Sequence, residues 1–268
     1  MKNILVLIHD DTGQEARLQV ALDIARATGG HLNCIDVTMV PMLVSDYVSM
    51  GGGAMLLGEE QAAETANRQR IQARLEREDV PFSWQDMTGD AATCLKEAAR
   101  LVDLVVLNRA FDKALYPNMA DLVGTMLTEG DVPVMAVPEH ATGLNIGGRV
   151  LIAWDGSKDA EAALKSALPL LARASDVTLL YVDDGSITVP AEQGAIYLGR
   201  HGIPATVRRE PGGIERPGSI LLVEVATNAD YLVMGGYGHA RWLEAVFGGT
   251  TDKLLSRSPV PVFLAHHR

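Results

Sequence analysis

The segment Tyr231–Thr251, YLVMGGYGHARWLEAVFGGTT, holds the residues whose types and spacing could do chemistry. A short apolar run, Tyr231–Met234, leads into Gly235-Gly236-Tyr237-Gly238, and after nine further residues come Gly248, Gly249, Thr250 and Thr251. Glycines at the carboxyl end of a strand let the backbone approach a ligand with no Cβ in the way. Glycines ahead of a helix leave N–H groups free beside the positive end of the helix dipole, which suits phosphate. The chemistry is phosphate binding by backbone dipoles, and a nucleotide is the natural ligand.

Composition narrows the setting. At 268 residues the chain can bury one large core or two of ordinary domain size. Apolar content of 47% with 21% charged residues is ordinary for a soluble protein. A net charge of −11 argues against a nucleic-acid partner, since no basic patch rises above the acidic background. Cys34 and Cys94 match no metal spacing and read as buried, reduced thiols, consistent with the cytoplasm. The apolar run before His9 and Asp10 is too short for a signal segment, and no stretch approaches the ~20 apolar residues of a membrane span.

The elements that must position the glycines are written twice. Ile4–Asp10 (ILVLIHD) matches Val150–Gly156 (VLIAWDG), Asp103–Leu107 (DLVVL) matches Asp230–Met234 (DYLVM), and Val132–Val137 (VPVMAV) matches Val260–Ala265 (VPVFLA). The first pair is about 146 residues apart and the others about 127 and 128, so the first copy carries about 18 more residues. Two homologous halves follow. Strands are predicted at Asn3–Ile8, His31–Thr38, Phe82–Thr88, Leu104–Leu107 and Val132–Val137, with helices at Gln14–Ala27, Glu59–Glu78, Ala91–Arg100 and Met119–Glu129. The second half repeats this with strands at Arg149–Ala153, Val177–Val182, Ala205–Glu210, Tyr231–Met234 and Val260–Ala265. Its helices are expected at Ala160–Arg173, Ala191–Gly202, Ser219–Asn228 and Gly249–Ser256. Near-continuous Val/Ile/Leu strands between amphipathic helices predict a parallel sheet covered on both faces. The polar, glycine-rich stretch Pro138–Arg149 reads as the linker, giving domains at 1–138 and 149–268. Ligands of such sheets sit beyond the carboxyl ends of the strands, where strand order reverses. Asp155 and Gly235 meet there if their strands are neighbours.

This arrangement resembles the universal stress protein family in its tandem form, along essentially the whole chain. Gly235, Gly238 and Gly248 match the family's glycine spacing, while Gly249 stands where Ser or Thr is usual, with Thr250 and Thr251 as substitutes. Ala153, Asp155 and Gly156 match its first-strand motif, and Val182 a position that holds adenine through backbone groups. The resemblance implies two tandem five-stranded, Rossmann-like α/β domains with strand order 3-2-1-4-5. The fifth strands are then edges that need covering, and the two VPV strands are expected to pair, making an internal pseudo-dimer. It also implies ATP with Mg²⁺ as ligand and a stress-response role in which the bound nucleotide is read by a protein partner; further homodimerisation is open. A slow ATP-hydrolysing or nucleotidyl-transferring enzyme and a nucleotide-independent scaffold or chaperone-like protein are the alternatives. No residue set names a catalytic group or a protein-held metal.

The halves are not equivalent. The first has Asn108 opposite Gly235, Phe111 opposite Gly238, and Ala120-Asp121 opposite Gly248-Gly249. A carboxylate at the helix N-terminus would repel phosphate, so the nucleotide site is assigned to the second half. The Met-rich insertion Met39–Gly58 reads as a flap over the first half's crevice, or as a partner surface. Asp155 could steer a ribose or Mg²⁺, or cap the following helix as Ser157 could; Asp10 and Asp11 read as caps. His239 and Arg241 read as phosphate ligands or solvated loop, Trp242 and Phe247 as loop anchors, Lys253 as a surface charge, and His266–Arg268 as a frayed terminus.

Overall fold

The structure is a computed structural model that describes residues 1–39, 52–109, 117–183, 187, 189–212, 217–236 and 249–267. Its first half runs β1 (Asn3–Ile8), α1 (Gln14–Thr28), β2 (His31–Met39), α2 (Gly52–Leu75), β3 (Phe82–Gly89), α3 (Ala91–Ala98), β4 (Leu104–Asn108), α4 (Met119–Thr128) and β5 (Val134–Val137). The second half runs β6 (Arg149–Ala153), α5 (Lys158–Ser166), α6 (Leu168–Leu171), β7 (Asp176–Asp183), α7 (Ala191–Arg200), β8 (Thr206–Pro211), α8 (Pro217–Asn228), β9 (Tyr231–Gly235), α9 (Thr250–Arg257) and β10 (Val262–Ala265).

These strands form one ten-stranded sheet in the order β3-β2-β1-β4-β5-β10-β9-β6-β7-β8. Each half has the expected 3-2-1-4-5 order, and all pairings within a half are parallel. The VPV strands meet at the centre, antiparallel, with Val262 opposite Ala136, Phe263 opposite Met135 and Leu264 opposite Val134. Both strands start later than predicted because Pro133 and Pro261 have no N–H to donate. Their carbonyls still accept, from Val105 at 3.0 Å and Leu232 at 3.0 Å respectively.

Side chains alternate between two cores, one on each face of the sheet. Ile4, Val6 and Ile8 of β1 and Val150 and Ile152 of β6 pack with α1, α5 and α7. Leu5 and Leu7 of β1 and Leu151 of β6 pack with α3, α4, α8 and α9 on the other face. Each core contains residues of both halves, and buried Phe263 and Leu264 lie in opposite ones. Cys34 and Cys94 are free and buried, as expected. Asp103 and Asp230, repeated in the sequence, do the same work: each carboxylate accepts the N–H that opens the half's first strand, from Asn3 at 2.9 Å and from Arg149 at 2.7 Å. Polar contacts cross the seam as well. Arg109 donates to the Ser256 carbonyl at 2.7 Å, and Arg173 donates to the Ala27 carbonyl at 2.7 Å.

Two helices depart from the reading. The helix expected over Ala160–Arg173 is broken into α5 and α6, because Pro169 lacks the N–H that would continue the ladder. The helix expected from Glu59 begins at Gly52, where the good helix formers Ala54, Met55, Leu56 and Leu57 outweigh the glycines around them. That much of the Met39–Gly58 insertion is helix; residues 40–51 lie outside the described residues.

Truncating Phe263 tests whether the seam joins the halves. Phe263→Ala should cost about 3–5 kcal/mol in urea unfolding. Hydrogen exchange should accelerate in β4 of the first half together with β9 of the second. Acceleration confined to β9 would show that the halves unfold independently.

Candidate functional site

In the second half β6 pairs with β9, so strand order reverses between them and opens a crevice beyond their carboxyl ends. Ala153 ends β6, and Val182 lies at the carboxyl end of neighbouring β7, two residues past the partner of Ala153. Exposed Asp155 follows at once, its Oδ1 accepting the Ser157 N–H at 2.9 Å. Gly156, buried at φ 75°, permits the turn, and Ser157 Oγ caps α5 by accepting the Ala160 N–H at 3.1 Å. The cap is therefore Ser157, and Asp155 shapes the turn before it.

Gly235, at the end of β9, has a use the sequence reading missed. A Cβ there would lie 2.7 Å from Ala160 N and 2.8 Å from Asp159 Cβ. The missing side chain is what lets the first turn of α5 close against β9. Asp159, buried in that turn, accepts the His267 N–H at 2.6 Å and lies 2.8 Å from His266 Nδ1. His266 also lies 3.0 Å from the Gly236 carbonyl, so His266 and His267 are fastened to the crevice wall rather than frayed. Lys253, read as a surface charge, instead donates to Ser219 Oγ.

The helix that closes the crevice, α9, starts at the expected glycine. Gly249 is its N-cap and offers no side-chain hydrogen bond; Thr250 is half-buried and Thr251 buried. The first half answers differently. Asp121 stands opposite Gly249 when β5 and β10 are aligned, but α4 begins at Met119. Its N–H groups at Ala120 and Asp121 are taken by Asn118 Oδ1, at 3.1 and 3.4 Å. Asp252 lies in the first turn of α9, so an acid in that turn does not separate the halves. The difference is the cap residue: an amide whose side chain closes the helix end in one half, a glycine with no side chain to give in the other. Gly238, Gly248, His239, Arg241, Trp242 and Phe247 lie outside the described residues, as does Phe111.

The first half's crevice is filled by its own side chains. Strand register sets His9 where the second half has Asp155, and Asn108 where it has Gly235. Asn108 Nδ2 donates to the Gly13 and Val137 carbonyls at 3.2 Å each. Its Oδ1 accepts from Arg17, which is fully buried and also donates to Leu7 O at 2.8 Å and Asp11 Oδ1 at 3.0 Å. Asp11 also accepts the Gly13 N–H at 2.8 Å, and Asp10 pairs with Arg70 at 2.7 Å, so neither is the expected N-cap, which is Gly13. Buried Glu64 of α2 bonds His9, and Asn67 exchanges two 2.8 Å bonds with Gln14. Burial opposes the His9 charge, but the hydrogen bond and charge of Glu64, with help from Asp11, raise its pKa. Asp36, buried and with no partner for Oδ1 among the described residues, is pushed up to about 7 by burial and by the charges of Glu64 and Asp86, against the pull of His9 and Arg68.

Residues 200–266 match the sequence model of the Universal stress protein family. The resemblance is borne out. A universal stress protein from Archaeoglobus fulgidus DSM 4304 shares the fold over 98% of this chain and 98% of its own, at 22% identity and a TM-score of 0.70. A functionally unknown protein from Pseudomonas aeruginosa PAO1 covers 99% of this chain and 92% of its own, at 14% identity and a TM-score of 0.58. A universal stress protein family protein from Arabidopsis thaliana, with AMP bound, covers 45% of this chain and 92% of its own, at 16% identity and a TM-score of 0.35. No curated protein sequence matches the chain. Among the described residues no helix is long and apolar enough to cross a membrane, and no three His, Cys, Asp or Glu side chains are grouped to hold a metal.

The His9–Glu64–Asp36 cluster gives a pH dependence of definite sign. The stabilisation by protonated His9 is complete below about 6.5 and lost as pH rises through its raised folded value. Folded Asp36 keeps its proton to about 7 while the unfolded chain loses it near 3.8, so stability also falls across that window. Asp36→Asn should shrink the loss of unfolding free energy between pH 5 and pH 8 by something on the order of 2–4 kcal/mol. An unaltered pH slope in urea titrations would remove Asp36 from this account.

Proposed function

We propose that the second half, residues 149–268, binds an adenine nucleotide, ATP carried with Mg²⁺, and that the first half, residues 1–138, does not. The observation that carries the reading is the glycine N-cap of α9 at Gly249, on the carboxyl side of the sheet and uncapped by any side chain among the described residues, set against the Asn118-capped counterpart in the first half. Helix N–H groups without a side-chain acceptor suit a phosphate, and a chain of net charge −11 must find its anion affinity in such dipoles. Gly238, Gly248, Gly249, Thr250 and Thr251 would hold the phosphates, Ala153 and Val182 the base, and Asp155 the ribose or the metal. Gly156 and Gly235 set the backbone that frames them. Mg²⁺ would neutralise phosphate charge beside Asp155.

In this reading the protein is a cytoplasmic, nucleotide-responsive stress regulator whose bound state is recognised by a protein partner. A nucleotide shifts such a protein only through its different affinity for the two states. Turnover is not required.

Gly249→Asp tests the reading. Gly249 has φ −58° and ψ 166°, a conformation that aspartate adopts freely, so the fold should hold while a carboxylate enters the anion site. ATP affinity, measured by calorimetry with Mg²⁺ present, should fall at least about tenfold, equivalent to ~1.4 kcal/mol. Unchanged affinity in a variant with unchanged thermal unfolding would move the phosphates elsewhere.

A further inference from the structure

The internal repeat allows one surface groove to be compared with its own counterpart. On the sheet face that carries α3, a groove of 290 Å³ is lined by Asn3, Leu5, Asn33, Ser83, Gln85 and Ala98, among others. Strand register pairs Asn3 with Arg149 of the second half, and Gln85 with Arg208. Ala98 stands five residues before Asp103 as Val225 stands five before Asp230, so those two correspond as well.

In the second half larger side chains stand at these positions. Arg208 bonds Glu224 of α8 and lies 3.2 Å from Glu210, Arg149 lies 3.7 Å from Asp230, and Val225 is fully buried. In the first half all three residues are shorter and the floor is open. The acid is kept: Glu97, exposed beside Ala98, holds the helix position of Glu224. Among the described residues no cation is paired with Glu97.

We propose that this groove binds the guanidinium of an arginine side chain presented by a protein partner, in the place that Arg208 fills in the second half. Amide oxygens of Asn33 and Gln85 accept guanidinium N–H groups without needing charge of their own. Asn33 Oδ1 already accepts from Ser83 Oγ at 2.9 Å and has a second lone pair to give. Glu97 supplies the charge that Glu224 supplies to Arg208. Leu101, 89% exposed, offers apolar surface to the methylene stem. The net charge of −11 draws a basic partner to this surface.

The test is titration of the full chain with Nα-acetyl-L-arginine amide, followed by amide NMR shifts. Saturable shifts should centre on Asn33, Ser83 and Gln85, and the uncharged citrulline analogue of the same shape should leave them still. Glu97→Gln should weaken binding about threefold, the scale of an exposed ion pair. Gln85→Arg restores the second half's residue at an exposed position, so it should keep the fold and abolish binding by filling the groove from within. No saturable shift, equal response to the citrulline analogue, or undiminished binding by Gln85→Arg would each overturn the proposal.

Discussion

Everything in this molecule hangs on the antiparallel pairing of two four-residue strands, β5 and β10. Each would be the exposed edge of a five-stranded sheet, with a row of unpaired N–H and C=O groups open to any passing chain. Pairing them with each other removes two edges at once and makes two cores continuous across the seam. Because one chain supplies both strands, the partner is always present. The remaining edges, β3 and β8, are half-exposed strands at the far ends of the sheet.

Much of this was legible before any coordinates. Val132-Pro-Val and Val260-Pro-Val announced equivalent strands, and the two aspartates ahead of β4 and β9 announced equivalent turns. Such features are local: a proline fixes where a ladder can start, and an aspartate binds N–H groups at a predictable strand end. The crevice at the β6–β9 reversal followed from strand order alone. What escaped the sequence depends on distant residues meeting. Nothing in Gly235 distinguishes close approach to a ligand from close approach of α5, and only the fold shows Asp159 and Ala160 occupying the space. Likewise His9, Asp36 and Glu64 are unremarkable singly, and they become a cluster only when α2 docks beside β1 and β2.

The halves have diverged by trading backbone for side chains. Where the second half keeps glycines at a strand end and a helix cap, the first has Asn108, Arg17 and an Asn118 cap, each satisfying polar groups internally. A buried guanidinium is tolerable only because its donors reach Leu7, His9, Asp11 and Asn108 together. At the groove beside α3 the exchange runs the other way, with arginines in the second half and short amides in the first. Duplication has left two copies of one framework with complementary sets of open and filled spaces.

Arg109 gives that asymmetry a mechanical meaning. It belongs to the closed half, directly after Asn108, yet its guanidinium grips the Ser256 carbonyl near the last turn of α9. The opposite tip of that helix is its glycine end, on the carboxyl side of the sheet. The first copy therefore serves as the anvil of the second: it clamps one end of a short helix and so helps to set where the other end stands. A load on the glycine end is borne in part by a side chain of the other half.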